Sequence, residues 1–249
     1  MVPIRLRTNL AAFRRGLTAQ QQRQVPFALA TAINSIATGA RADLIESMKE
    51  AFDRPTPFTL NATYVKKARK SDLTAWVGIR EFAGKGTPAW KYLGPQVDGG
   101  SRRQKRFERR LATLNNAAAF ALPARGAELD AYGNMSRGQI VKILAAVGAL
   151  GDQNETATSA KRKRKRLMHQ ASRGGRSPYF IARSRTGKPL AVYELKGKGR
   201  VEPVLNLTSK APSYKPRWKP REVVLQAVQK HRVGAFERAW EHALATAKP

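Results

Sequence analysis

The side chains of this sequence that are best placed to do chemistry are cations gathered in two clusters. One is an uninterrupted run of six at 161–166, and the other is spread over 102–110. Six adjacent cations repel one another and cannot enter a core, so the first cluster is expected in an exposed loop or at a helix tip. Lysine and arginine neutralise phosphates without reading bases. The predicted polyanion contacts are Lys161, Arg162, Lys163, Arg164, Lys165, Arg166, Arg102, Arg103, Lys105, Arg106, Arg109 and Arg110.

The overall charge favours the same interpretation. The 249 residues include 47 Lys+Arg against 17 Asp+Glu, which gives a formal net charge of +30. Such a chain repels itself unless something neutralises it, and nucleic acid is the leading candidate. Acidic protein neighbours in a large assembly could offset basic faces equally well. A simple excess of charge for solubility is the remaining alternative.

The other reactive residue types form no recognisable site. The absence of cysteine excludes disulfides, thiolate zinc sites and cysteine nucleophiles. His169, His231 and His242 belong to no metal-ligand spacing, although one helix could bring the last two to one face. We therefore expect no metal site and no cofactor.

Catalytic motifs are also missing. The sequence has no P-loop, no Gly-x-Ser-x-Gly and no His-Glu-x-x-His. The acids Asp98 and Glu108, and the acids Glu128 and Asp130, are near neighbours in sequence, but among so many cations they are interpreted as ion-pair partners. The sequence predicts a protein that is not an enzyme.

No part of the sequence resembles a membrane or export segment. Residues 1–10 carry arginines without the apolar core of a signal peptide, and no apolar run approaches the roughly 20 residues that span a bilayer. We expect a soluble protein, made in the cytoplasm, with no membrane partner.

A long amphipathic helix is predicted from about Gln20 to Phe52. Its apolar residues recur every three or four positions and would form one stripe. Prolines 55 and 57 end it. No helix buries such a stripe alone, so a further layer must cover it.

The elements that follow are predicted from alternation and turn residues. Leu73–Arg80 predicts a strand and Trp90–Leu93 its returning edge, while Ser101 is expected to cap a basic helix over the 102–110 cluster. A helix is predicted over 135–147, ended by Gly148.

The C-terminal part predicts a meander and a final helix. Residues 179–184 and 190–195 flank a turn at 186–188, and 201–207 predicts a third strand. This meander is the expected cover for the long helix. The final helix starts at Pro220, after a proline-rich loop whose Tyr214 and Trp218 are expected to pack on the protein itself, stacking on bases being the alternative.

These elements predict an α+β fold. A long N-terminal helix and a C-terminal helix pack on a small antiparallel sheet, with a helical basic insertion in the middle. The expected divisions are 1–93, the insertion 94–177 with its exposed Lys/Arg loop, and 178–249, where the first and last parts form one core domain.

The order of elements resembles the minor tail protein Z, or tail completion, family of tailed bacteriophages. The resemblance rests on the early helix with Ala32–Ala37 and on the meander that ends at Val204–Leu207 before the last helix. Residues 94–110 and 129–140 are also similar to stretches of prophage-encoded virion proteins. The resemblance implies a subunit of a ring at the head–tail junction, neck or upper tail of a virion, in contact with other virion proteins and the DNA path.

Two functions therefore stay open. The first is a non-enzymatic virion structural protein, oligomeric and ring-forming, whose basic surfaces face genomic DNA or acidic partners. The second is a free nucleic-acid-binding protein without sequence specificity.

Overall fold

The computed structural model describes residues 2–5, 15–84, 86–115, 120–149, 179–196 and 200–247. The chain divides into two compact units, each with its own core. The first unit combines Met1–Gly99 with Lys215–Pro249, and the second unit is Gly100–Tyr214.

The first unit is built around helix α1, Ala19–Ala51, as the sequence predicts. Thr18 and Gln21 start it with a capping box: the Gln21 N–H donates to the Thr18 hydroxyl at 3.3 Å, and the Thr18 N–H donates to the Gln21 side-chain oxygen at 3.0 Å. The stripe of apolar residues is buried, with Ile33, Ile36 and Met48 among its largest members. Burial of each such side chain contributes roughly 1.5–3 kcal/mol.

The cover of α1 differs from the expectation. Two C-terminal helices pack along it, α6 (Pro220–His231) and α7 (Ala235–Ala245), together with strands β2 (Thr63–Lys66) and β3 (Ala75–Ile79). The prediction that the 179–207 meander covers α1 is wrong. The prediction of a single C-terminal helix is also wrong. Gly234 adopts a left-handed conformation with φ 63°, which separates one helix from the next.

A three-stranded antiparallel sheet in the order β1-β3-β2 completes this core, where β1 is Val2–Ile4. The short helix α2, Pro57–Leu60, precedes β2, and α3, Ala89–Val97, follows β3. The predicted strand at Trp90–Leu93 is wrong. Ala89, Leu93 and Gln96 are buried at helical spacing, whereas Lys91, which would share a strand face with Ala89 and Leu93, is exposed, so the burial follows a helical period and not alternation.

In the described residues of the second unit, two helices pack on one four-stranded antiparallel sheet. The strands β5 (Phe120–Pro123), β6 (Tyr179–Arg183), β7 (Pro189–Lys196) and β8 (Arg200–Thr208) lie in the order β5-β8-β7-β6. The predicted meander is confirmed as β6-β7-β8. The helices are α4 (Arg106–Asn115) and α5 (Arg137–Ala146), and the core contains Leu111, Ile143, Val192 and Leu205.

The second unit is inserted into the first unit's sequence, and its first and last residues pair with each other. Strand β4, Gly100–Ser101, pairs antiparallel with β9, Ser213–Tyr214, so the chain enters and leaves the unit side by side. The structure therefore divides the chain differently from the three predicted parts, because the meander joins the middle of the chain instead of the N-terminal helix. Paired chain ends are a common property of inserted units.

Helices α1 and α6 approach each other closely at Gly39. A Cβ built there would lie 2.7 Å from the His231 ring, and the ring is fixed because its Nε2 lies 3.1 Å from an Asp43 carboxylate oxygen. Lys230 donates to the same carboxylate at 3.2 Å.

We predict that Gly39→Ala destabilises the first unit by about 1–3 kcal/mol, because overpacking outweighs the roughly 1 kcal/mol that alanine gains in a helix. All four tryptophans lie in the first unit, so tryptophan fluorescence during urea unfolding measures this change. Gly84→Ala in the same unit is the control, since its Cβ would meet nothing within 4 Å. Equal or greater stability of Gly39→Ala would show that α1 and α6 do not approach this closely.

Candidate polyanion-binding surface

The basic segment 102–110 is organised by one buried carboxylate, that of Glu108. The Arg102 guanidinium donates to both carboxylate oxygens, at 2.7 Å through Nη1. The Lys105 N–H donates at 2.6 Å and the Ala121 N–H at 3.0 Å. Glu108 thus ties the start of α4 to strand β5 and to the residues that follow β4.

These bonds set the protonation of the Glu108–Arg102 pair. Burial alone would raise the pKa of Glu108, but the Arg102 hydrogen bonds and the two backbone N–H groups together lower it below its ordinary value of 4.5. The hydrogen bond to Glu108 raises the pKa of Arg102. Both groups are charged at neutral pH. The bond from the Lys105 N–H to the Glu108 side chain is also one half of a capping box for α4.

The residues predicted to contact a polyanion consequently differ in how exposed their side chains are. Arg102 is half-buried, paired with Glu108 and stacked over the Phe120 ring at 5.2 Å, so we leave it out of the polyanion surface. Arg103, Arg106 and Arg109 are exposed, and the last two lie one turn apart on the outer face of α4. We call these three arginines the α4 surface.

The other predicted residues are less informative. Lys105 is exposed and its backbone N–H begins α4, and Arg110 is half-buried. The expected cap at Ser101 is wrong, because Ser101 pairs with Ser213 in the β4-β9 ladder. Lys161–Arg166 lies outside the residues that the structure describes.

A second group of exposed cations, absent from the predicted contacts, lies where β2 leads towards β3. Lys66, Lys67, Arg69 and Lys70 are all exposed, whereas Ala68 among them is buried. We call residues 66–70 the basic turn. The sequence shows this group as four cations in five positions. The position of the group in the fold could not be read from the sequence, because it depends on contacts with residues of α1 that are distant in sequence.

The remaining candidates of the sequence have structural roles. Trp218 is buried, donates from its ring N–H to the Ser47 hydroxyl at 3.0 Å and packs edge-on against Phe52, so its packing on the protein itself is confirmed. His231 and His242 lie on different helices, the former beside Asp43 and the latter beside the Phe27 ring.

Metal-ligand clusters and membrane-spanning helices are absent from the part of the chain that the structure describes. There, no group of three or more His, Asp or Glu side chains is arranged to hold a metal ion. Within the same residues, no helix combines the length and the apolar character needed to cross a bilayer.

No protein family model, no curated protein and no solved structure matches this chain.

We predict that Glu108→Gln lowers the free energy of unfolding of the second unit by about 3 kcal/mol or more, because it leaves the Arg102 charge without its buried partner. Hydrogen exchange at the amides of α4 and β5 measures this, since tryptophan fluorescence reports only the first unit. Glu222→Gln, followed by tryptophan fluorescence, is the control. Its pair with Lys219 is exposed, and such pairs contribute about 0–1 kcal/mol.

The same pair predicts a pH dependence. The folded pKa of Glu108 lies below 4.5, so its stabilising contribution is complete above that pH and is lost as the pH falls through the folded pKa. The difference in unfolding free energy between the wild type and Glu108→Gln should therefore shrink below about pH 4.5. A difference that stays constant as the carboxylates of the chain are protonated would contradict an ionised Glu108 in the folded protein.

Proposed function

We propose that this chain is a non-enzymatic structural subunit of a tailed-phage virion, located at the head–tail junction, neck or upper tail. It assembles with copies of itself into a ring and contacts other tail or neck proteins. Its basic surfaces face the phosphates of genomic DNA or acidic virion partners. The observation that carries the proposal is the α4 surface: exposed cations on an ordered frame, in a chain with a net charge of +30.

The α4 surface suits a polyanion because of how its neighbours are arranged. Glu108 is directed inwards and is saturated by Arg102 and two backbone N–H groups, so it cannot neutralise the outer arginines. In a ring, the arginines of successive copies would add to a continuous basic belt. Such a belt attracts phosphates by charge alone, so binding is independent of base sequence and weakens steeply with salt.

The virion location is supported by the resemblance of the sequence to tail completion proteins. A long N-terminal helix packed on C-terminal helices and on a small antiparallel sheet is consistent with the order of elements on which that resemblance rests. The inserted second unit supplies an additional surface. The phage assignment stays a proposal.

The second candidate is a free nucleic-acid-binding protein without sequence specificity. The α4 surface favours it equally, because phosphate contacts need no assembly. The two candidates differ in where the protein is found and in whether it forms rings.

Mass spectrometry of purified particles separates the two candidates. A virion subunit should be present at a few to a dozen copies per particle, as expected for one ring, after free protein is removed by density-gradient purification. Absence from intact particles, with abundant protein in the lysate, would reject the virion role and leave the free nucleic-acid-binding protein.

A separate prediction concerns the α4 surface. Replacing Arg103, Arg106 and Arg109 with Gln should reduce the steepness of log K against log salt by about 0.9 for each phosphate of duplex DNA that these arginines neutralise. Filter binding over a salt series measures this slope. The control replaces Arg125, Lys188 and Lys196 in the same unit, two of which already pair with Glu202. Equal effects of the two triple variants would show that the α4 surface has no special role.

A further inference from the structure

We propose that the basic turn is a second binding site, and that its ligand is the phosphate backbone of nucleic acid. It belongs to the first unit, whereas the α4 surface belongs to the second, and it does not depend on a virion location. Four of its five residues are exposed cations.

Within the described residues, the protein does not neutralise the cations of the basic turn. No carboxylate pairs with Lys66, Lys67, Arg69 or Lys70 in the described parts of the chain. The nearest acid in sequence is Asp72, which closes the turn through its backbone: the Arg69 N–H donates to the Asp72 carbonyl at 2.8 Å, and the return bond is 3.0 Å. One negative charge beside four positive charges leaves the site strongly cationic.

The backbone of the basic turn is held in place by Asn34 on α1. The Asn34 side chain accepts from the Ala68 N–H at 2.7 Å and donates to the Ala68 carbonyl at 3.1 Å. Both polar groups of the buried Ala68 are therefore satisfied by one side-chain amide. Breaking these bonds would leave the buried N–H and carbonyl without partners, at about 1–3 kcal/mol each.

Two further contacts extend this attachment along α1 at intervals of seven residues. Phe27 lies under the Lys70 ammonium, 5.1 Å from the ring centre, and the Arg41 guanidinium donates to the Thr63 carbonyl at 3.0 Å. Residues seven apart lie on nearly the same line of a helix, about 10 Å from one another. Strand β2 and the basic turn thus rest on one line of α1, which holds the backbone that carries the four cations in a fixed position on the helix.

A fixed backbone matters for binding because less conformational freedom is lost when the ligand arrives. Lysine side chains remain adaptable point charges, while Arg69 provides a planar donor. This combination suits a regular array of phosphates better than one small anion, since the four cations are distributed over five residues.

Nucleic acid fits the basic turn better than an acidic protein does. Protein interfaces have an apolar core enriched in aromatic residues and depleted in lysine. In the basic turn the apolar Ala68 is buried, and the exposed residues are cations followed by Ser71. Lysine, arginine and serine are the residue types that contact phosphates. Contacts to phosphates carry no sequence information, so we infer binding without sequence preference.

The test uses the full chain and a duplex DNA of scrambled sequence. One variant replaces Lys66, Lys67, Arg69 and Lys70 with Gln, and its matched control replaces the exposed cations Lys49, Lys91, Lys219 and Arg221 with Gln, which removes the same net charge. Fluorescence anisotropy over a salt series gives the affinity and the slope of log K against log salt. The slope of the basic-turn variant should fall by about 0.9 for each phosphate that the turn neutralises, with a correspondingly greater loss of affinity than the control.

Three results would overturn the proposal. They are equal losses in the two quadruple variants, unchanged binding by the basic-turn variant, and turn-dependent binding of poly-glutamate that is as tight as that of DNA. Tryptophan fluorescence checks that each variant is folded. If the quadruple variant unfolds, the double variant Lys67→Gln with Arg69→Gln replaces it, because this variant leaves the Lys70–Phe27 contact in place. Its slope should fall by about half the amount expected for four cations. An unchanged slope would reject the site.

Discussion

The scarcity of carboxylates relative to cations is the constraint on which the rest of this structure depends. With 17 acids for 47 Lys+Arg, an acid that is used inside a unit leaves many cations outside without a partner. Glu108 is consumed in joining α4 to β5, and Asp43 is consumed in holding His231 and Lys230 of α6 against α1. These internal uses secure the fold. The chain as a whole keeps a formal net charge of +30, which favours a polyanionic partner.

The two units hold their exposed cations by the same kind of contact. In each, a polar side chain directed towards the interior fixes the backbone that carries exposed cations: Glu108 for the α4 surface and Asn34 for the basic turn. The fixed backbone makes the cations a surface of defined shape instead of a diffuse charge. A ring of such subunits would present both surfaces repeatedly, which is the physical link between the fold and the proposed role beside a polyanion.

The local sequence pattern predicted the individual helices and strands of this fold better than it predicted which of them pack together. The periodicity of α1 and the alternation of β6-β7-β8 specify those elements from their own residues. The cover of α1 could not be predicted, because any amphipathic layer satisfies its stripe equally, and the short pairing of β4 with β9 that closes off the second unit has almost no sequence signal. The candidate site shows the same limit. Exposed arginines of α4 follow from composition, whereas the pairing of Arg102 and the anchoring of the basic turn by Asn34 depend on which segments meet.

Electron cryo-microscopy of the purified particle, with this subunit located in the map, tests the central claim most directly. We expect closed rings of the subunit, with nucleic acid or acidic protein within about 10 Å of its exposed cations, which is the distance over which charges interact at about 0.1 M salt. Rings whose basic surfaces face only solvent or other cations would contradict it.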